Sequence, residues 1–148
     1  MKPAAAAVRP IEVLFVEDNP GDGKLIQDAL ENSSHRTRVT VARTAASALA
    51  LLRKENLHHV LFSYDFILLD IGLPDKSGWE VLSTLKSDPF LKDIPVLILT
   101  GSRDEHELMK AQFSTAEDFL QKPSDLSHLD ALVDYLEENW FKKKTAGN

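Results

Sequence analysis

The sequence predicts an α/β fold, a five-stranded parallel sheet with helices on both faces. Two observations predict it. Five short apolar or β-branched runs alternate with segments of helical periodicity along the 148 residues, and this alternation is typical of parallel sheets joined by helical crossovers. In addition, no linker rich in Gly, Ser or Pro interrupts the alternation, which indicates one domain.

The predicted strands are short and apolar. They cover residues 12–16, 38–42, 66–69, 96–99 and 119–121. Apolar runs of this length favour buried strands over helices, because helices in globular proteins are usually longer.

The first two predicted helices follow the first two strands. One begins at Asn19–Pro20 and ends at the polar turn 32–34, and its apolar residues recur at helical spacing. These residues are Leu25, Ile26, Ala29 and Leu30. The second is the alanine- and leucine-rich segment 45–55.

Capping boxes predict the starts of the next two helices. Ser77 with Glu80, and Ser102 with Glu105, match the pattern in which a hydroxyl and a carboxylate satisfy free amides of the first turn. The last predicted helix covers residues 125–141. Its apolar face comprises Leu129, Leu132, Val133, Leu136 and Trp140.

Composition excludes several classes of protein. A net charge of −6 argues against nucleic acid as a direct partner, because phosphate contacts need a basic face. The absence of cysteine excludes disulfides and thiolate chemistry. No apolar run approaches the roughly 18 residues of a membrane span. We expect a cytoplasmic protein with no membrane partner, with residues 1–10 as a flexible tail and residues 142–148 as a C-terminal tail.

Polar residues at the ends of four predicted strands form the candidate site. Glu17 and Asp18 follow the first strand, Asp70 the third, Thr100 the fourth and Lys122 the fifth. The carboxyl ends of parallel strands share one edge of the sheet, so these residues converge there. Two carboxylates about 4 Å apart repel by roughly 4 kcal/mol at an effective dielectric of about 20. The cluster therefore requires the lysine or a divalent cation.

Four motifs carry a family resemblance over residues 11–141. They are residues 16–19 (VEDN), 69–78 (LDIGLPDKSG), 99–101 (LTG) and 122–123 (KP). In this order at strand ends, they resemble the receiver domain of two-component response regulators, a flavodoxin-like (βα)5 fold. Residues 17–22 (EDNPGD), the long stretch 56–65 and the aromatic end 136–141 are most similar to stand-alone regulators of bacterial, cyanobacterial-type phytochrome histidine kinases.

The resemblance implies a role for each residue at the sheet edge. Asp70 is the expected phosphoacceptor, a carboxylate nucleophile with Mg²⁺ as cofactor. Glu17, Asp18 and Asp70 would bind the Mg²⁺ together with the backbone carbonyl of Gly72, since a hard cation prefers oxygen ligands. The family more often has aspartate at the position of Glu17.

Three further positions have implied roles in signalling. Lys122 would pair with Asp70 and then with the phosphoryl group, while Thr100 would move its hydroxyl onto another phosphoryl oxygen. Phe119 occupies the position of the switch aromatic, which is often tyrosine.

The implied partner is a phytochrome-like sensor histidine kinase. Only seven residues follow Phe141, so we expect a phosphorylated signalling protein whose output is a protein contact. A homodimer through the predicted helix at Ser102, the strand 119–121 and the helix 125–141 is the expected response. Trp140 and Phe141 are its candidate anchors, with core packing of these rings as the equally weighted alternative. We expect no enzyme activity beyond self-catalysed phosphorylation and dephosphorylation.

Three other functions are compatible with parts of the sequence. An aspartyl-phosphate phosphatase of the haloacid-dehalogenase kind also uses a strand-end aspartate with Mg²⁺. It needs a second acid two residues later, where this chain has Gly72. A pseudo-receiver scaffold would not need the intact Asp70, Thr100 and Lys122. A flavodoxin-like electron carrier needs a hydroxyl- and glycine-rich loop after the first strand, where this chain has carboxylates.

Overall fold

The structure is a computed structural model that describes residues 9–57, 64–70, 77–101 and 115–146. Five strands are present, β1 to β5 in chain order, at Ile11–Val16, Thr37–Ala42, Phe66–Asp70, Val96–Thr100 and Asp118–Gln121. The helices are α1 (Pro20–Glu31), α2 (Ala45–Leu57), α3 (Ser77–Ser87), α4 (Asp130–Leu136) and α5 (Lys142–Ala146). A π-helical segment, Glu137–Phe141, joins α4 to α5, and the three together are called the C-terminal helix below.

All five strands are parallel and lie in the order β2-β1-β3-β4-β5. This confirms the predicted fold class. Chain order reverses direction between β1 and β3, so the carboxyl ends of these two strands lie side by side at the point where a parallel sheet forms a crevice. Asp70 is aligned with Leu99, and Thr100 with Gln121.

The start of α1 is fixed by its capping residue. The Asn19 side-chain carbonyl accepts a hydrogen bond from the Asp22 backbone amide at 3.0 Å, and Pro20 occupies the first helical position. Proline costs nothing there because its missing amide would have no partner within the helix. The predicted start is confirmed, and this first turn lies directly beyond the carboxyl end of β1.

Two apolar cores lie on opposite faces of the sheet. One contains Leu14, Ile67 and Ile98 with residues of α2 and α3. The other contains Phe15, Leu68, Leu97 and Leu99 with residues of α1 and the C-terminal helix. Alternate residues of each strand enter opposite cores, as the two-residue period of a strand requires.

The C-terminal helix begins later and ends later than predicted. Residues 125–129 form a bend, a turn and a short irregular stretch, in which the Asp125 side chain accepts a hydrogen bond from the Ser127 amide at 3.0 Å. This local bond competes with helix formation. At the other end the chain stays helical through Ala146, and the Lys144 ammonium lies 3.2 Å from the Asp65 carboxylate.

The two aromatic residues of the π-helical segment pack against the sheet. Phe141 is only 1% exposed, and its ring lies 5.5 Å from the Phe66 ring, centroid to centroid. The Trp140 ring meets the same phenylalanine edge-on at 6.0 Å. Phe141 is therefore a core residue and offers no surface to a partner in this conformation.

Several predictions of the sequence analysis lie outside the described residues. These are the helix that begins at Ser102, the position of Gly72 and the tail at residues 1–8. Within the described ranges, no helix is both long and apolar enough to span a membrane.

Replacing Phe141 with alanine should lower the free energy of unfolding by about 3–5 kcal/mol, the usual cost of removing a buried aromatic ring. Urea denaturation measures this difference. Phe90 is the matched control, because the same side chain is 74% exposed there and Phe90→Ala should cost about 0.5 kcal/mol or less. Equal effects of the two substitutions would contradict the core position of Phe141.

Candidate functional site

The carboxyl edge of the sheet brings the predicted residues together. Asp70 is the last residue of β3, Glu17 follows β1 directly and Lys122 follows β5. Thr100 ends β4, and its backbone carbonyl accepts a hydrogen bond from the Lys122 amide at 2.7 Å. Residues separated by up to 105 positions thus meet at one point because all strands run the same way.

The Lys122 ammonium is the centre of this cluster. Its Nζ atom lies 2.6 Å from Glu17 Oε1, 2.9 Å from Asp70 Oδ2 and 2.9 Å from Asp22 Oδ2. Burial by itself would lower the pKa of Lys122, but hydrogen bonds to Glu17, Asp70 and Asp22 outweigh burial and raise this pKa above its ordinary value. The lysine is therefore permanently charged at physiological pH.

Asp22 was missed as a site residue in the sequence analysis. It lies within a segment that carried the family resemblance but was given no role there. The clue in the sequence was its position in the first turn of a helix that begins two residues after Asp18. An acid in that turn returns to the sheet edge and is also favoured by the helix dipole.

Glu17 is the most buried carboxylate of the cluster, at 1% exposure. Besides the contact with Lys122, its Oε2 atom accepts a hydrogen bond from the Asn19 amide at 3.2 Å. Burial, followed by its hydrogen bond with Asp70, raises the pKa of Glu17 from 4.5 to about 7, against the opposing effect of Lys122. Three carboxylates around one ammonium thus leave an excess of negative charge.

The other predicted site residues take different positions. Asp18 is exposed. Thr100 is fully buried, and its hydroxyl donates to the Leu120 carbonyl at 3.4 Å. Phe119 is partly buried against the core on the α2 and α3 side. Gly72 falls outside the described residues.

The donor set suits a hard divalent cation. Glu17, Asp70 and the exposed Asp18 supply carboxylate oxygens, the ligands that Mg²⁺ and Mn²⁺ prefer. Among the described residues, no three acidic or histidine side chains are already arranged as a metal site. The Lys122 ammonium contacts an oxygen of Glu17 and an oxygen of Asp70. A cation that binds these oxygens would have to share them with the lysine ammonium or displace it.

Comparison with known families identifies the domain. The model of the response regulator receiver domain matches residues 13–134. The chain belongs to this family. The match gives no support to the phosphatase alternative, and the predicted receiver fold is confirmed.

Individual relatives narrow the assignment to regulators associated with phytochromes. Response regulator Rcp1 of Synechocystis sp. is 32% identical over 136 residues, which is 92% of each chain. The structure of the phosphorylated cyanobacterial phytochrome response regulator RcpA superposes with a TM-score of 0.76 at 38% identity, covering 90% of this chain and 95% of that one. The Mn²⁺-bound form of Rcp1 gives a TM-score of 0.72 at 33% identity over 88% and 94%.

Neutralising Asp70 should stabilise the metal-free receiver, and more at high pH. Because the pKa of Glu17 rises from 4.5 to about 7 on folding, the folded protein binds a proton in this interval that the unfolded chain does not. The free energy of unfolding therefore falls as pH rises from 4.5 to 7. Above pH 7 Glu17 is ionised and repels Asp70.

We expect Asp70→Asn to raise the free energy of unfolding by roughly 1–2 kcal/mol at pH 8, a fraction of the Coulomb energy of two close carboxylates. The increase should be clearly smaller at pH 5. Chemical denaturation in EDTA at both values measures it. Asp134→Asn, a neutralisation at an exposed position of α4, is the control and should show neither effect. A destabilised Asp70→Asn protein at pH 8 would contradict the charge excess.

Proposed function

We propose that this receiver accepts a phosphoryl group on Asp70 and that Glu17, Asp18, Thr100 and Lys122 assist the transfer. The observation that carries the proposal is the contact of the partly buried Lys122 side chain with both Asp70 and Glu17, at 2.9 and 2.6 Å. A carboxylate nucleophile needs its charge partly masked before it can approach a phosphoryl dianion. Lys122 provides this masking.

The transfer itself exchanges one bond to phosphorus for another. A carboxylate oxygen of Asp70 bonds to phosphorus while the P–N bond of a phosphohistidine breaks. The electron pair leaves on the imidazole nitrogen, and the ring departs neutral because its other nitrogen already carries a proton. Lys122, which neighbours the attacking oxygen, then pairs with a phosphoryl oxygen and stabilises its charge.

The cofactor that we propose is Mg²⁺. Glu17, Asp18, Asp70 and the backbone carbonyl of Gly72 would hold it. When bound, the ion would neutralise charge shared by the nucleophile and the phosphoryl oxygens. The Mn²⁺-bound form of Rcp1 supports a divalent cation in this kind of receiver.

The phosphoryl donor that we propose is a phytochrome-type sensor histidine kinase. RcpA, at 38% identity, is a phytochrome response regulator that was solved in its phosphorylated form. The extent of the similarity, 90% of this chain and 95% of that one, supports the same class of partner here, in the cytoplasm.

Output would pass through β5 and the C-terminal helix. Thr100 and Phe119 lie on neighbouring strands near the carboxyl edge. A movement of the Thr100 hydroxyl toward a phosphoryl group would change the packing around Phe119. This would shift a two-state equilibrium of the adjoining surface, for which homodimerisation is the response that we propose.

Phosphorylation is tested by intact-protein mass spectrometry after incubation with acetyl phosphate and Mg²⁺. The wild type should gain one phosphoryl adduct, and Asp70→Asn should gain none, because the amide is not a nucleophile toward phosphorus. Asp134→Asn is the control and should gain the adduct. An adduct of equal yield on Asp70→Asn would place the phosphoryl group elsewhere.

Dimerisation is tested by size-exclusion chromatography with light scattering, with and without beryllofluoride as a phosphoryl mimic. Trp140→Ala should weaken the dimer, because aromatic side chains dominate interface energies. Trp140 is partly exposed and donates to the same Asp118 oxygen as Tyr135. Phe90→Ala, an exposed aromatic before β4, is the control and should leave dimerisation unchanged. A protein that stays monomeric in both conditions would exclude this output.

A further inference from the structure

Asp22 contacts the functional lysine but lies on a different element from the other acids. Glu17 and Asp70 project from the carboxyl ends of β1 and β3, whereas Asp22 lies in the first turn of α1. Its Oδ2 atom is 2.9 Å from Lys122 Nζ, as close as Asp70 Oδ2. The ammonium thus bridges the sheet edge and the helix.

This arrangement bears on a conflict between Lys122 and a divalent cation. Both need the same oxygens, since the ammonium already contacts Glu17 Oε1 at 2.6 Å and Asp70 Oδ2 at 2.9 Å. A cation that takes these oxygens weakens both contacts. The Lys122 side chain is only 16% exposed, and a largely buried charge without a partner is costly.

We propose that Asp22 is a positioning residue for Lys122, one that retains the ammonium on the α1 side of the pocket when a divalent cation binds to Glu17 and Asp70. The inference rests on the proposed function, for which this cation is the cofactor. Asp22 thereby offsets the cost of displacing the lysine and raises the affinity for the cation. It also keeps the ammonium within reach of an incoming phosphoryl group.

Two further observations support this role. The backbone amide of Asp22 donates a hydrogen bond to the Asn19 side chain at 3.0 Å, so the backbone that carries the Asp22 carboxylate is fixed by a capped helix end. Beside it, a cleft of about 440 Å³ is lined in part by Asp22, Gly101 and Lys122. The lysine head therefore has space to move away from Glu17 and Asp70 while it keeps its contact with Asp22.

A purely structural acid in the first helical turn would behave differently. It would stabilise α1 through the helix dipole without depending on Lys122. A simple charge effect would weaken cation binding whether or not the lysine is present. The proposal instead requires energetic coupling between Asp22 and Lys122, which a double-mutant cycle isolates.

The test measures Mg²⁺ affinity by titration calorimetry, with no phosphoryl donor present. We expect Asp22→Asn to weaken Mg²⁺ binding about fivefold or more in the wild-type background, and about twofold or less in the Lys122→Met background, within the range of coupling between contacting residues. Asp22→Glu should restore most of the affinity. Asp28→Asn, on the same helix and paired with Lys24, is the control.

A second measurement follows the lysine directly by NMR of side-chain ¹⁵Nζ groups. In the wild type with saturating Mg²⁺, the Lys122 ammonium should remain observable because Asp22 still pairs with it. In Asp22→Asn with Mg²⁺ it should be lost through exchange with water.

Equal losses of affinity in both lysine backgrounds, or an ammonium resonance unaffected by Asp22→Asn, would overturn the proposal. Failure of the proposed function would be seen separately, as a wild-type protein that acetyl phosphate does not modify even with saturating Mg²⁺.

Discussion

The arrangement of the carboxyl edge depends on the ion pairs of a single lysine. Glu17, Asp22 and Asp70 all contact the Lys122 ammonium within 2.9 Å. Removing the lysine would leave the buried carboxylates of Glu17 and Asp70 without a compensating charge. Burying ions is costly unless they are paired, and removing one partner of a buried pair is usually more harmful than the pair itself is stabilising. Lys122 is in turn fixed by the sheet, because its backbone amide bonds to Thr100. The fold and the charge cluster therefore constrain each other.

At the amino ends of the strands, in contrast, the acidic side chains have enough basic partners to balance their charge. Asp65 precedes β3 and pairs with Arg9 and Lys144, while Glu12 on β1 pairs with Arg38. Burial raises the pKa of Glu12, but the cations oppose this rise. There the ion pairs tie Arg9, near the start of β1, and the C-terminal helix to the sheet. Among the described residues at the two ends of the strands, the excess negative charge therefore lies at the carboxyl ends, where phosphoryl chemistry is proposed.

The C-terminal helix is bonded to the strand that carries the proposed switch residue. One oxygen of Asp118, the first residue of β5, accepts hydrogen bonds from the Tyr135 hydroxyl at 2.6 Å and the Trp140 indole at 2.9 Å. Phe119 is the next residue. A change in the packing of Phe119 would therefore shift Asp118 and alter its hydrogen bonds to Tyr135 and Trp140. These bonds link the site to the surface that we propose for output.

The sequence by itself determined the fold class, the strand positions and the convergence of Glu17, Asp70, Thr100 and Lys122, because apolar periodicity defines strands and parallel strands share one carboxyl edge. It could not decide which side chains contact Lys122, since that depends on how the first turn of α1 returns to the edge, and Asp22 was missed for this reason. It also left open whether Phe141 faced a partner or the core. Only the tertiary structure decided this, because the π-helical segment brings adjacent aromatic rings onto Phe66, a packing that local periodicity does not encode.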